Sequence, residues 1–176
     1  MALPGSSDTK PARIADYAIV VKRIGLIAAT MVSAMVAVVI PATASPVHRM
    51  ILLANMHTCD FQPVAYVIGR AQARLLAQIT SDGRTAVANI DMTNGASNAQ
   101  YVVRLIPAPH AVLGCQPGDP SITTAALSTD DYGTASTTLQ APIASGTTGL
   151  WLAVDLPSAH SQSPQEFYSS NYIAPV

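Results

Sequence analysis

Ser81-Asp82-Gly83-Arg84 stands between two segments that read as strands, Leu75–Thr80 and Thr85–Met92. Gly after Asp supplies the positive φ of a tight hairpin. In the second segment Ala86, Ala88, Ile90 and Met92 fall on one face, and Thr85, Val87, Asn89 and Asp91 on the other. That period of two belongs to a half-buried strand, and a helix cannot use it. The pattern recurs downstream. Gln100–Ile106 alternates Tyr101, Val103 and Leu105 with Val102, Arg104 and Ile106. Further strands are expected at Val64–Ile68, Thr134–Leu139, Gly149–Leu156 and, as an edge, Glu166–Ile173. Met50–Ala54 reads as a strand or a single helical turn. Turns are expected at 93–98, 128–133 and 144–149, and Pro107 and Pro109 should end the Gln100 strand.

Helix formers are scarce where these segments lie. Beyond residue 44 there is no Lys and the single Glu is Glu166, while Thr, Ser, Val, Ala, Gly and Pro dominate. The expected fold is therefore all-β: an antiparallel β-sandwich of about seven strands, immunoglobulin-like or Greek-key.

The leader has a different character. Lys22-Arg23 precedes an uncharged, mostly apolar run from Ile24 to Ile40, followed by Pro41-Ala42-Thr43-Ala44. A basic pair, an apolar stretch and a small-x-small site make the layout of a secretory signal peptide. The run is shorter than the roughly 20 residues that cross a bilayer comfortably. Pro41 ends its helix, and Ala42 and Ala44 fit the small pockets of a signal peptidase, so cleavage is expected after Ala44. Lys at the first basic position and Gly25 make it a poor twin-arginine signal. The competing reading is an uncleaved anchor at 24–40. The expected organisation is a signal at 1–44, a flexible mature start at 45–58 and the β-domain at 59–176. The product is then secreted or held at the cell envelope, and meets the membrane only if the leader stays.

Behind the leader, Arg49, Arg70, Arg74, Arg84 and Arg104 face a larger set of acids from Asp60 to Glu166. A weakly acidic surface without a basic cluster argues against nucleic acid and against adhesion to anionic lipid. Cys59 and Cys115 are the chain's cysteines, both beyond the leader. In an oxidising compartment such a pair is most simply a disulfide. The chain-entropy model puts a loop of this length at roughly 4 kcal/mol. A metal-ligand or free-thiol reading is the alternative.

Chemistry is sparse. His57-Thr58-Cys59, with His48, Met50 and Met56, could make a soft copper site, but a bridged Cys59 has no thiolate to give. There is no Gly-x-Ser-x-Gly, no phosphate-cradling Gly loop and no EF-hand. Asp130-Asp131 reads as turn capping. Hence no catalytic residue, metal or cofactor is assigned. Phe167 and Tyr168 should point oppositely, so one of them could be exposed on an edge strand and meet a protein or envelope partner. The functional expectation is a non-catalytic binding or structural role, with a secreted hydrolase or a copper-binding protein as the alternative.

From Cys59 onward, the two cysteines, YVVRLI, LSTDDYGTA and the terminal FYSSNYI resemble small secreted β-sandwich proteins of actinobacteria, mycobacteria included. A Thr-Asp…Gly turn before a strand also resembles CHRD-type sandwich domains. The resemblance implies fold and export, and carries over no activity.

Overall fold

The computed structural model describes residues 45–65 and 72–176. The leader, with the expected signal helix and its cleavage site at Ala42 and Ala44, lies outside them, as do residues 66–71, onto which the expected Val64–Ile68 strand extends.

Nine strands are present among the described residues: β1 Val47–Leu53, β2 Arg74–Ser81, β3 Thr85–Thr93, β4 Gln100–Ala108, β5 Thr123–Ser128, β6 Ala135–Pro142, β7 Gly149–Leu156, β8 Glu166–Ser170 and the short β9 Ala174–Pro175. No described residue is helical. The hydrogen-bonded path runs β5-β4-β7-β8-β1-β2-β3-β6, with β9 added beside β7, and every pair is antiparallel. The path's two ends, β5 and β6, approach with Cα atoms within 8 Å. The sheet is thus nearly closed into a barrel, which leaves little unpaired edge. The expectation of an antiparallel all-β domain holds. The two separate sheets of a sandwich are not distinct here, because one ladder path carries the strands round.

The period of two sets the inside. Ala86, Ala88, Ile90 and Met92 of β3 are buried and meet Leu75, Ala77 and Ile79 of β2 across the ladder. Tyr101, Val103 and Leu105 of β4 and Leu150, Leu152 and Val154 of β7 complete the same core.

Three boundaries differ from the sequence reading. β1 occupies half of the segment 45–58 expected to be a flexible start, and is held by β8 on one side and β2 on the other. β4 continues through Pro107 to Ala108, paired with β7. β8 lies between β7 and β1, so it is no edge, and both Phe167 (4 % exposed) and Tyr168 (2 %) are buried.

The turns follow their chemistry. Asp82 Oδ1 accepts the N–H groups of Arg84 (2.8 Å) and Thr85 (2.7 Å), which also holds its carboxyl below the ordinary range, and Gly83 has φ 80°. Asp130 Oδ1 accepts from Tyr132 and Thr134 in the same way. Gly133 (φ 72°) presses on the backbone of Gly95, whose N–H donates to the Gly133 carbonyl at 2.9 Å.

One end of the interior is polar. Tyr101 and Tyr168 both donate their hydroxyls to Glu166 Oε2, at 2.9 and 2.8 Å, and accept the N–H groups of Ala96 and Ala73. Burial, reinforced by the Glu166 carboxylate, pushes Tyr101 up to about 12 and raises Tyr168 as well.

Two outcomes follow. A Cβ at Gly133 would stand 2.1 Å from the Gly95 oxygen, whereas a Cβ at Gly83 meets nothing within 4 Å. Both positions carry the left-handed cost of about 1–2 kcal/mol, and Gly133→Ala adds roughly 1–3 kcal/mol of overpacking. Urea melts should therefore separate G133A from G83A by that added amount. The tyrosine pair stabilises the fold fully below the ordinary phenol range near pH 10, and this is lost as pH rises toward about 12. Absorbance at 295 nm should show Tyr101 and Tyr168 ionising only together with loss of near-UV ellipticity.

Candidate functional site

Strands β4 and β7 carry buried residues on both faces. The inward set belongs to the barrel core. The outward set is Arg104 and Ile106 on β4 and Trp151, Ala153 and Asp155 on β7, continued on β8 by Phe167 and Ser169. Two loops cover that outer face. The first, 54–65, is a small hairpin: Thr58 N–H donates to the Gln62 carbonyl, Val64 N–H to that of Met56, and His57 bridges Pro63. The second is 109–122. A disulfide between Cys59 and Cys115 ties one to the other, and Cys59 N–H donates to the Val112 carbonyl at 3.3 Å. The disulfide expected from the sequence is present, and no cysteine remains free among the described residues. Such a bridge points to an oxidising, extracellular-type compartment.

Aromatic rings fill the joint between roof and floor. Phe61, held at φ 63°, stacks on His57 with centroids 4.4 Å apart and meets Trp151 edge-on at 5.2 Å. Trp151, Ile106, Ala153 and the two cysteines form a core of their own, outside the barrel.

Between roof and floor is a cleft of about 410 Å³, bordered by Arg104, Trp151, Ala153 and Asp155 below and by His57 and Val112 above, among others. Its size lies within the range of small-molecule sites, roughly 300–1,000 Å³. Val112 and Leu113 stand exposed at its rim, Leu113 at 81 %.

Arg104 is the charge at the bottom, 8 % exposed. Its Nη2 pairs with Asp155 and its Nη1 donates to the Cys115 carbonyl at 2.7 Å. Burial pushes the Asp155 carboxyl up, and the Arg104 guanidinium pulls it back. Two buried N–H groups among the described residues have no partner: Arg104 Nε and Trp151 Nε1. Both residues border the cleft. A buried donor left unpaired costs about 1–3 kcal/mol, and both nitrogens are closed to solvent.

His57 and Ser169 are the nearest approach to catalytic chemistry. Ser169 donates its hydroxyl to the Asn55 carbonyl at 2.7 Å. With that proton engaged, its oxygen accepts from His57 Nδ1 at 2.6 Å. Burial pushes His57 below its ordinary value, which keeps the ring neutral.

The copper constellation is not assembled. His48 and Met50 sit on β1, with Met50 in the barrel core, while His57 lies over the outer face and Cys59 is consumed by the disulfide. Met56 and His57 do border the same cleft. No group of three or more His, Cys, Asp or Glu side chains capable of holding a metal occurs among the described residues. Phe167 and Tyr168 also border the cleft, but as buried strand residues, so no exposed aromatic edge exists there. Sequence reading missed Arg104 and Asp155. Their signal was a charge at an alternating position of an otherwise apolar strand, which periodicity alone assigns to solvent.

A second hollow of about 440 Å³ lies on the outside of β1 and β2, beside Ile51, Leu53 and Leu76. Neither unpaired donor borders it. No helix among the described residues is long and apolar enough to cross a membrane.

Fold and site together define a class: a small antiparallel β-domain with a disulfide-roofed cleft on the outside of its sheet. No family model, curated protein or solved structure matches the chain.

The ion pair has a measurable consequence. Arg104→Ala leaves Asp155 buried without its cation, a change that costs about 3–5 kcal/mol at neutral pH. Asp155 in the variant titrates higher still. A raised carboxyl favours the fold only while protonated, so the deficit against the wild type should shrink as pH falls through the raised value and be smallest below about 4. Denaturant melts at pH 7 and pH 3.5 check the sign.

Proposed function

We propose that this is an exported binding protein, secreted or held at the cell envelope, which captures a small ligand in the cleft beneath the disulfide-linked loops and does so without catalysis. The observation that carries the reading is a cleft of ligand size, walled by the aromatic stack and the disulfide-linked loops, with the Arg104–Asp155 pair at its floor. Apolar walls with a few fixed polar groups are the usual make-up of such a site. Export is supported by the leader's layout and by the disulfide, which persists in oxidising compartments. The roof's role follows from its construction: it has no strand ladder to the face it covers, so the disulfide holds it over the site.

A second reading rests on one contact. If the Ser169 proton turns from Asn55 to His57, a nucleophile–base pair results, as a serine hydrolase requires. Ser169 is 2 % exposed, which favours the binding reading.

The full chain, exported and oxidised, tests both. Trp151 is its single tryptophan, so its fluorescence reports the cleft directly. Titration with small apolar amides, esters and acids should give saturable changes that disappear when the disulfide is reduced. No saturable change with any of them would sink the binding reading. Incubation with a fluorophosphonate should leave the intact mass unchanged; an adduct on Ser169 would establish the hydrolase instead. The same mass spectrum should show cleavage after Ala44 and the loss of two protons.

A further inference from the structure

The outer face of β1 and β2 is apolar where the neighbouring outer face is not. On β1 the outward positions Val47, Arg49, Ile51 and Leu53 alternate with the core residues Met50 and Leu52. On β2, Arg74 and Leu76 point outward, and Leu76 lies opposite Ile51. Val47, Ile51, Leu53 and Leu76 are all exposed, Leu76 at 59 %. The hollow of about 440 Å³ lies beside the last three. One strand further on the face turns polar: Asn89 and Asp91 of β3 stand opposite Thr138 and Ser136 of β6. Grouped exposed apolar side chains mark a contact with protein or membrane, whereas single ones carry no meaning.

Place and charge narrow the occupant. β2 is paired with β1 on one side and β3 on the other, so whatever covers Leu76 meets a face and not a free strand edge. Arg49 and Arg74 stand exposed among the apolar residues, and neither has an ion-pair partner among the described residues. Asp91 is the acid that borders the hollow. A second copy docked through the same patch would double the arginines and set against them only the Asp91 carboxylates. A phospholipid surface supplies both counterparts: phosphates that accept from guanidinium N–H groups, and acyl chains beneath them. The attachment is apolar first, so the chain's weak net acidity does not oppose it.

The chain also delivers this face to a bilayer. The apolar run 24–40 is a membrane-entering sequence whether the leader serves as signal or as anchor. Residues 41–46 alone separate it from Val47, a reach of at most about 25 Å. While the leader is in the bilayer, β1 therefore begins close to the membrane surface.

We propose that the outer face of β1 and β2 is a membrane-contact face, which lays Val47, Ile51, Leu53 and Leu76 against the acyl boundary of a phospholipid bilayer with Arg49 and Arg74 among the phosphates. It is a second attachment, acting whether or not the leader is cut. This rests on the export and envelope part of the reading above and is independent of what the cleft binds.

The exported, oxidised chain, with whatever leader its intact mass shows, is mixed with phosphatidylcholine nanodiscs containing a doxyl-labelled lipid, and its methyl signals are followed by NMR. The strongest loss of intensity should fall on Val47, Ile51, Leu53 and Leu76, with Val112 and Leu113 at the cleft rim much less affected. Strongest loss at Val112 and Leu113, or none on the β1–β2 face, overturns the proposal. Leu76→Asp, at an exposed position, should remove the effect at β1 and β2; its persistence in the folded variant also counts against the face. For a product cut after Ala44, flotation with phosphatidylcholine vesicles should detect binding that Leu76→Asp weakens roughly five- to tenfold. Added phosphatidylglycerol should strengthen wild-type binding, and Arg74→Gln should remove most of that gain. A cut product that floats with neither vesicle refutes the second attachment. If sedimentation without lipid shows a dimer that Leu76→Asp dissolves, the face pairs copies of the chain and the proposal fails. The wild-type relaxation pattern decides whether or not a variant folds. Trp151 titrations are run without lipid, so each of these failures leaves the cleft reading standing. A chain that stays unexported and reduced would take the envelope reading and this proposal together.

Discussion

The Cys59–Cys115 disulfide is the constraint on which the rest of the outer face depends. The barrel core would exist without it, since strand pairing and apolar burial supply that core. The second core would not. Its roof consists of a hairpin with one bridge and a long loop without a strand, and neither buries enough surface to order itself. The bridge joins them, and Trp151 and Phe61 then have something to pack against. The Cys115 carbonyl, fixed by the same bridge, accepts from Arg104. One covalent bond therefore sets the position of the roof, the aromatic joint and part of the charge network at the floor.

This arrangement also explains why β4 and β7 are buried on both faces. A strand that faces solvent on one side alternates, as β3 does. In β7 the outward positions carry Trp151 and Ala153, and in β4 Ile106, because the roof removes them from water. The near closure of the sheet brings β5 to β6 and protects the path's two ends. β8 lies in the middle of the path, so Phe167 and Tyr168, which a terminal edge strand would have exposed, are enclosed. The terminal segment reads as an edge because it comes last in the sequence, yet order along the chain does not set order across the sheet.

Local chemistry was legible, and long-range placement was not. The Asp82-Gly83 and Asp130–Gly133 turns, the inward face of β3 and the whole of β7 could be read directly, because each depends on neighbours within a few residues. β5 escaped notice because Thr123–Ser128 has little apolar content and gains its strand geometry from pairing with β4. β1 was only half seen, since its apolar positions are ambiguous between strand and turn until β2 and β8 flank it. The disulfide followed from compartment and count. What the disulfide builds did not: a cleft formed by residues from 55 to 169 has no local signature.

The balance of charge at the floor decides between the chemistries the cleft could support. A hydrolase needs a nucleophile with access to substrate and a base free to take its proton. Ser169 is covered, and its hydroxyl donates to a backbone carbonyl, with His57 beside it. Among the described residues no three His, Cys, Asp or Glu side chains converge. Binding needs less: a hollow and an apolar wall with a few fixed polar groups, and the pairing of Arg104 with Asp155 leaves the floor of this cleft balanced in charge.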